Sequence, residues 1–141
     1  MSSGDLTAAS PVLQAVFGVL QDATLQAAIG GRLFDDIPED TPRPCMLMEI
    51  LDERDLRGFG MGTLPELDLR THAYSDSGSM MQAQDINRQA VALLKDAALT
   101  VTGFSQAGRV TYRRSVTVKD EVLHGVKVHE IVSLFTVWVE Q

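Results

Sequence analysis

The sequence predicts an α+β fold, an antiparallel sheet of about four main strands with two helices packed on one face. Three observations predict it. Two segments carry apolar residues at every third or fourth position, the spacing of a helix with one buried face. Four longer segments read as strands, two alternating with period two and two apolar on both faces over part or all of their length, and turn-forming clusters separate them. The 141 residues are 45% apolar and 22% charged, which is the composition of a chain that buries its own core. We read 1–141 as a single domain with no interior linker, its residues 1–9 a flexible N-terminus.

The first helix is expected from Ser10-Pro11, a capping residue followed by a proline whose missing N–H costs nothing in the first turn. Leu13, Val16, Phe17 and Leu20 then share a face. Thr24 is the expected cap of a second short turn through Leu25 and Ile29, and Gly30-Gly31 ends it. Arg32-Leu33-Phe34 reads as a brief strand. The segment that follows, DDIPEDTPRP, is acidic and stiffened by three prolines.

Cys45–Glu53 reads as a strand apolar on both faces, with Cys45, Leu47 and Leu51 opposed by Met46, Met48 and Ile50. Arg54–Thr63, RDLRGFGMGT, reads as a glycine-rich loop. Leu64–Tyr74 alternates, with Glu66, Asp68, Arg70 and His72 on a wet or interfacial side and Leu67, Leu69 and Ala73 on the other. Ser75–Ser79 is a turn and a helix cap. Met81, Ile86, Ala90, Leu93, Leu94 and Ala97 form the best amphipathic stripe in the chain, about four to five turns long. A short strand follows around Leu99–Thr102. Arg109–Lys119 alternates cleanly, with Val110, Tyr112, Val116 and Val118 on one side. After a turn at Asp120–Gly125, the last strand runs from Val126 to Glu140 and becomes apolar on both faces, which calls for two covers.

The totals exclude several functions. A formal charge of −7 argues against phosphate-backbone binding as the main task, since that needs a basic surface. One cysteine, Cys45, permits no internal disulfide and no cysteine-based zinc cage. Its apolar neighbours Met46, Leu47 and Met48 suit a buried, inert thiol. No apolar run approaches the roughly 20 residues of a membrane span. The opening MSSGDLTAAS lacks the basic start and apolar core of a signal peptide, so a cytoplasmic product is expected.

Candidate chemistry is sparse. Asp35, Asp36, Glu39 and Asp40 are oxygen ligands by type, but they lack calcium-loop spacing and Pro38 interrupts them, so a solvated acidic turn is the better reading. His72, His124 and His129 are scattered, and no serine sits in a nucleophile elbow. GFGMG at Gly58–Gly62 has no following Lys-Ser/Thr and no helix to receive a phosphate. No catalytic, metal or cofactor-binding residue is expected. Two features point to partners instead. Leu56, Phe59 and Met61 are apolar residues on a glycine-rich loop. Arg109, Arg113 and Lys119 share a strand face, where they are either solvated or set against the acidic face of a neighbouring copy. Val137 and Trp138 on the doubly apolar last strand complete the candidate interface.

Taken in order, the motifs resemble a known family. They are Gly31-Arg32-Leu33-Phe34-Asp35 with Pro38 and Pro42-Arg43-Pro44, then Tyr74-Ser75 before the long helix, then Asp120 with His124-Gly125-Val126. Across roughly Pro11 to Val139 the chain is similar to the tail-terminator, or tail-completion, proteins of long-tailed bacteriophages and gene transfer agents. It departs from the family's aromatic at Cys45 and from its tryptophan near Tyr74. The resemblance implies a non-enzymatic virion protein at the head–tail junction, a tail-terminator-like domain that assembles into a homohexameric ring. It implies as partners the tail-tube protein and a head–tail connector or stopper, with DNA passing through the lumen unbound and no membrane. Another ring-forming connector or tube subunit is the nearest alternative, and a small metal-dependent enzyme using the acidic segment the distant one.

Overall fold

The structure, a computed structural model, describes residues 8–38, 40–55, 65–77, 79–104, 108–123 and 126–139. Within them lie three helices, α1 (Ala9–Val19), α2 (Ala23–Ile29) and α3 (Met80–Leu94). Six strands accompany them: β1 (Leu33–Phe34), β2 (Cys45–Asp55), β3 (Pro65–Ser75), β4 (Ala98–Leu99), β5 (Gly108–Leu123) and β6 (Val126–Trp138). They form one mixed sheet in the order β1-β2-β3-β6-β5-β4. β1 runs parallel to β2, and every other neighbouring pair is antiparallel. The four long strands are those expected. The fold differs from the expected class in detail. The short turn through Leu25 and Ile29 is a third helix, and one pairing is parallel. The two brief strands join the sheet as its edges, making six strands.

All three helices pack on one face of the sheet. Their buried residues, among them Val12, Val16, Leu25, Ile29, Ile86 and Leu94, share a core with Met46, Leu67, Leu69, Phe135 and Val137. On β3 the alternation is complete: odd-numbered residues are buried under the helices and even-numbered ones are half-exposed on the outer face. No single helix among the described residues is long and apolar enough to cross a membrane.

Local chemistry explains the helix ends, and it corrects two expected caps. α1 begins one residue before Ser10, with Ala8 in the cap position and no side-chain cap of its own. The Glu53 carboxylate on β2 accepts from the Ala8 N–H instead, at 3.0 and 3.2 Å. Pro11 still falls in the first turn, where no N–H is needed. Asp22 rather than Thr24 caps α2, accepting from the N–H groups of Thr24 and Leu25 at 3.1 Å each. Gly30, at φ +61°, closes that helix in the left-handed region that glycine adopts freely. Ser79 caps α3, as expected, by accepting from the Met81 N–H at 3.2 Å.

Two β-bulges overturn the expected facing of side chains. In β2 the register shifts between Ile50 and Asp52, so Leu51 is left 47% exposed. In β5 it shifts between Tyr112 and Arg114. A bulge inserts one extra residue and so reverses the alternation beyond it. Val110 and Tyr112 lie under the helices, but Val116 pairs with Val132 on the outer face and is 40% exposed. On α1 the buried stripe is Val12 and Val16, while Phe17 is 41% exposed. On α3 Met81 is also exposed, because Ala83, Ile86, Ala90 and Leu94 face the sheet. The final strand ends at Trp138, and Val137 is enclosed in the chain's own core with no exposed surface. Its side chain therefore cannot meet a partner, contrary to the expectation for Val137.

Candidate functional site

The outer face of the sheet, opposite the helices, collects the polar residues of four strands. At one end Arg54 is ion-paired with Asp52, with Glu66 and with Asp68, the last at 3.2 Å. Hydrogen bonds to Asp68 and Glu66 hold its guanidinium charged, and the bond from Arg54 holds Glu66 below the usual carboxylate range. Trp138 Nε1 donates to the other oxygen of Glu66 at 2.7 Å. Arg113 then lies over the indole, 5.8 Å from its centroid, and its Nε donates to Thr136 Oγ1 at 2.8 Å. One path of polar contacts thus crosses β2, β3, β6 and β5.

Farther along the same face, His72 sits between two acids. Its Nδ1 is 2.6 Å from Glu130 Oε2 on β6, and its Nε2 is 2.9 Å from Glu49 Oε1 on β2. The register places Leu47 and Val132 directly opposite His72, so both carboxylates reach it from diagonal positions. Tyr74 stacks on the imidazole with ring centroids 6.0 Å apart. Burial and the Glu130 charge push the Tyr74 hydroxyl far up, so it stays protonated. Between these clusters Arg70 has a buried Nε without a hydrogen-bond partner among the described residues. Arg70 and Arg113 line a cavity of about 240 Å³ with Leu51, Asp68, Leu134 and Thr136.

This arrangement holds side chains in place. A carboxylate lies within hydrogen-bond distance of each ring nitrogen of His72, so the protonated imidazole donates from both and leaves no free lone pair. No group of three or more His, Cys, Asp or Glu among the described residues is arranged to hold a metal ion. Asp35, Asp36 and Asp40 are exposed, and Glu39 lies outside the described residues. Cys45 is buried, and that burial raises its thiol above the ordinary value.

Of the residues the sequence singled out, Arg109, Arg113 and Trp138 come together on the outer face, with Arg109 directly opposite Trp138 in register. The β5 bulge adds Arg114, opposite Leu134, to the same face. Leu56, Phe59 and Met61 lie outside the described residues, as does the Lys119 side chain. Sequence reasoning missed Glu49, Glu130 and Arg54 as members of these clusters. The alternation of β3 marks the polar face, but only the register shows which acid meets His72.

The fold has a counterpart among known proteins. The family described as tail completion protein gp17 matches residues 11–140. The chain belongs to that family. It is a structural component of a phage-type virion tail. A chain from the virion of a native gene transfer agent particle has the same fold. The two superpose with a TM-score of 0.69 at 20% sequence identity, over 94% of this tail completion protein and 96% of that chain. No curated protein sequence is significantly similar to it.

Proposed function

We propose that this tail completion protein is a ring-forming tail terminator, a non-enzymatic subunit whose homohexameric ring caps the tail tube and stops its polymerisation. The same ring presents the surface on which the DNA-filled head docks through its connector or stopper, and DNA crosses the lumen without specific binding. The reading takes residues 1–141 as one tail-terminator-like domain. The observation that carries it is family membership over residues 11–140 on a sheet covered by helices on one face only.

Chemistry on the outer face supports the reading. Its side chains are held by charge-assisted bonds across four strands, which gives a firm, patterned surface suited to specific contacts. Arg109, Arg113, Lys119 and Trp138 are proposed to contact neighbouring subunits. Leu56, Phe59 and Met61 are proposed to contact a neighbour, the tube or the connector. The net charge of −7 suits a channel wall along which DNA slides without adhering.

Negative-stain imaging of the purified protein, alone and with tail tubes, tests the reading. Rings seated at one end of tubes of uniform length are expected. Rings found along the whole tube would identify a tube subunit, and rings bound only to heads a connector. Replacing Leu56, Phe59 and Met61 together by serine should disturb capping while the circular dichroism of the monomer stays unchanged. Normal tails joined to heads with that variant would remove the loop from the interface.

A further inference from the structure

Two strands near opposite ends of the sheet are open along most of their length. β1 pairs with β2 only at Met46 and Leu47, and β4 pairs with β5 only at Gly108 and Arg109. From Met48 to Arg54 on β2, and from Thr111 to Val118 on β5, no second strand and no further backbone hydrogen bond lies alongside among the described residues. Such an edge presents a row of unpaired N–H and C=O groups, ready to accept another strand.

The two edges carry opposite charge. Along β5 stand Arg109, Arg113 and Arg114, all exposed, and none forms an ion pair among the described residues. Along β2 stand Glu49, Asp52 and Glu53, and the cations beside them are engaged within the sheet, Arg54 by three carboxylates and His72 between Glu49 and Glu130, with Arg70 opposite Glu49 in register. Each edge also carries an exposed aliphatic residue, Leu51 on β2 and Val116 on β5. Two of the four large apolar side chains exposed among the described residues therefore lie on these edges.

From these edges we infer that β2 of one copy pairs antiparallel with β5 of the next, so that the sheet continues from subunit to subunit. This inference rests on the ring reading above and specifies the contact that builds the ring. Its direction follows from the topology. Each step in β2-β3-β6-β5 is antiparallel, so β5 runs opposite to β2 within one copy. A copy related by rotation about an axis along the strands brings its β2 antiparallel to this β5. Two different patches then meet, which is the heterologous contact that closes into a ring. Pairing of like edges is opposed by charge, since β5 against β5 sets arginine against arginine. The bulges in both strands confine pairing to short regular stretches and so limit the available registers.

Sedimentation velocity and negative-stain imaging of the full chain, alone and with tail tubes, test the inference. Arg113→Glu/Arg114→Glu should shift the ring–monomer equilibrium towards monomer by about tenfold or more. Its circular dichroism should match the wild type, and adding Asp52→Lys should recover part of the loss. A second measurement does not depend on charge. L51C combined in turn with R114C, V116C or V118C should give a ladder of linked copies under mild oxidation, while L51C alone should not. Rings of wild-type abundance from Arg113→Glu/Arg114→Glu would overturn the strand pairing and leave the ring reading standing. So would intact rings that give no ladder with any of the three cysteine pairs. A wild-type chain that forms no ring even with tail tubes present would overturn both.

Discussion

Glu130 Oε2 lies 2.6 Å from Nδ1 of His72, and this contact ties β6 to β3 on the face that the helices leave open. Glu49 holds the other ring nitrogen at 2.9 Å, so one imidazole joins three strands. Burial alone would lower the His72 pKa, but the bonds to Glu130 and Glu49 outweigh it and raise the pKa above the ordinary 6.5. The bond from His72 holds Glu130 below its ordinary 4.5.

The sign of the pH dependence follows. A histidine raised on folding stabilises fully below its unfolded pKa, and that contribution is lost as pH rises through the folded value. A carboxylate lowered on folding stabilises above its unfolded pKa, and that contribution is lost as pH falls. The cluster should therefore stabilise most between about pH 4.5 and 6.5. The thermal unfolding midpoint of the wild type should fall as pH rises from 6 to 8 through loss of this contribution, and His72→Gln should flatten that slope. Equal slopes for the two proteins would mean that His72 is not charged in the folded state.

Ser133, fully buried on β6, links the sheet to α3. Its hydroxyl donates to Asn87 Oδ1, and Asn87 Nδ2 donates to Ser115 Oγ at 3.2 Å. Ser115 and Ser133 are 2.7 Å apart, and Tyr112 OH is 2.7 Å from Ser115. Ser133→Ala removes a partner from both Ser115 and Asn87. Urea unfolding should show a loss of about 1–3 kcal/mol. A loss below about 0.5 kcal/mol would mean that water or a shifted rotamer restores the bonds.

Gly30 combines φ +61° with a close approach, since a Cβ there would lie 2.6 Å from Arg32 Nη1. The same arginine donates from Nε to the Pro44 carbonyl at 3.0 Å, which ties the end of α2 to the entry of β2. Gly30→Ala should cost about 1 kcal/mol or more, from backbone strain and displacement of that side chain. Gly18→Ala, at a helical position with open space around it, should be neutral or stabilising. The difference in midpoint between the two variants is the readout.

Phe135 is 1% exposed and Met81 is 74% exposed, although the sequence places Met81 on an apolar stripe. Phe135→Ala should cost about 3–5 kcal/mol through lost burial and the cavity left beside Tyr112. Met81→Ala should stay within about 0.5 kcal/mol. A large loss for Met81→Ala would show that its side chain is covered in solution.

Much of the fold was legible because the period of side-chain burial is local. The stripe Ile86, Ala90 and Leu94 marks α3, and Ser79 marks its start. Gly30 marks the end of α2, and Glu66, Asp68, Arg70 and His72 mark the outer face of β3. The candidate site was legible only as far as its strand residues. Nothing in the sequence near Ala8 points to Glu53 as its acceptor, forty-five residues away. No local signal marks the bulge at Tyr112/Arg114, which carries Arg114 and Val116 onto the outer face.

By itself the sequence determined a helix-and-strand order, a polar strand face and a family likeness. Those follow from residue type, spacing and motif, which a one-dimensional chain carries in full. The tertiary structure decided which strands are neighbours and in what register. It thereby decided that His72 meets Glu49 and Glu130, that Trp138 lies between Glu66 and Arg113, and that Val137 belongs to the core. Register is set by backbone pairing between segments far apart in the chain, and one inserted residue reverses every facing beyond it.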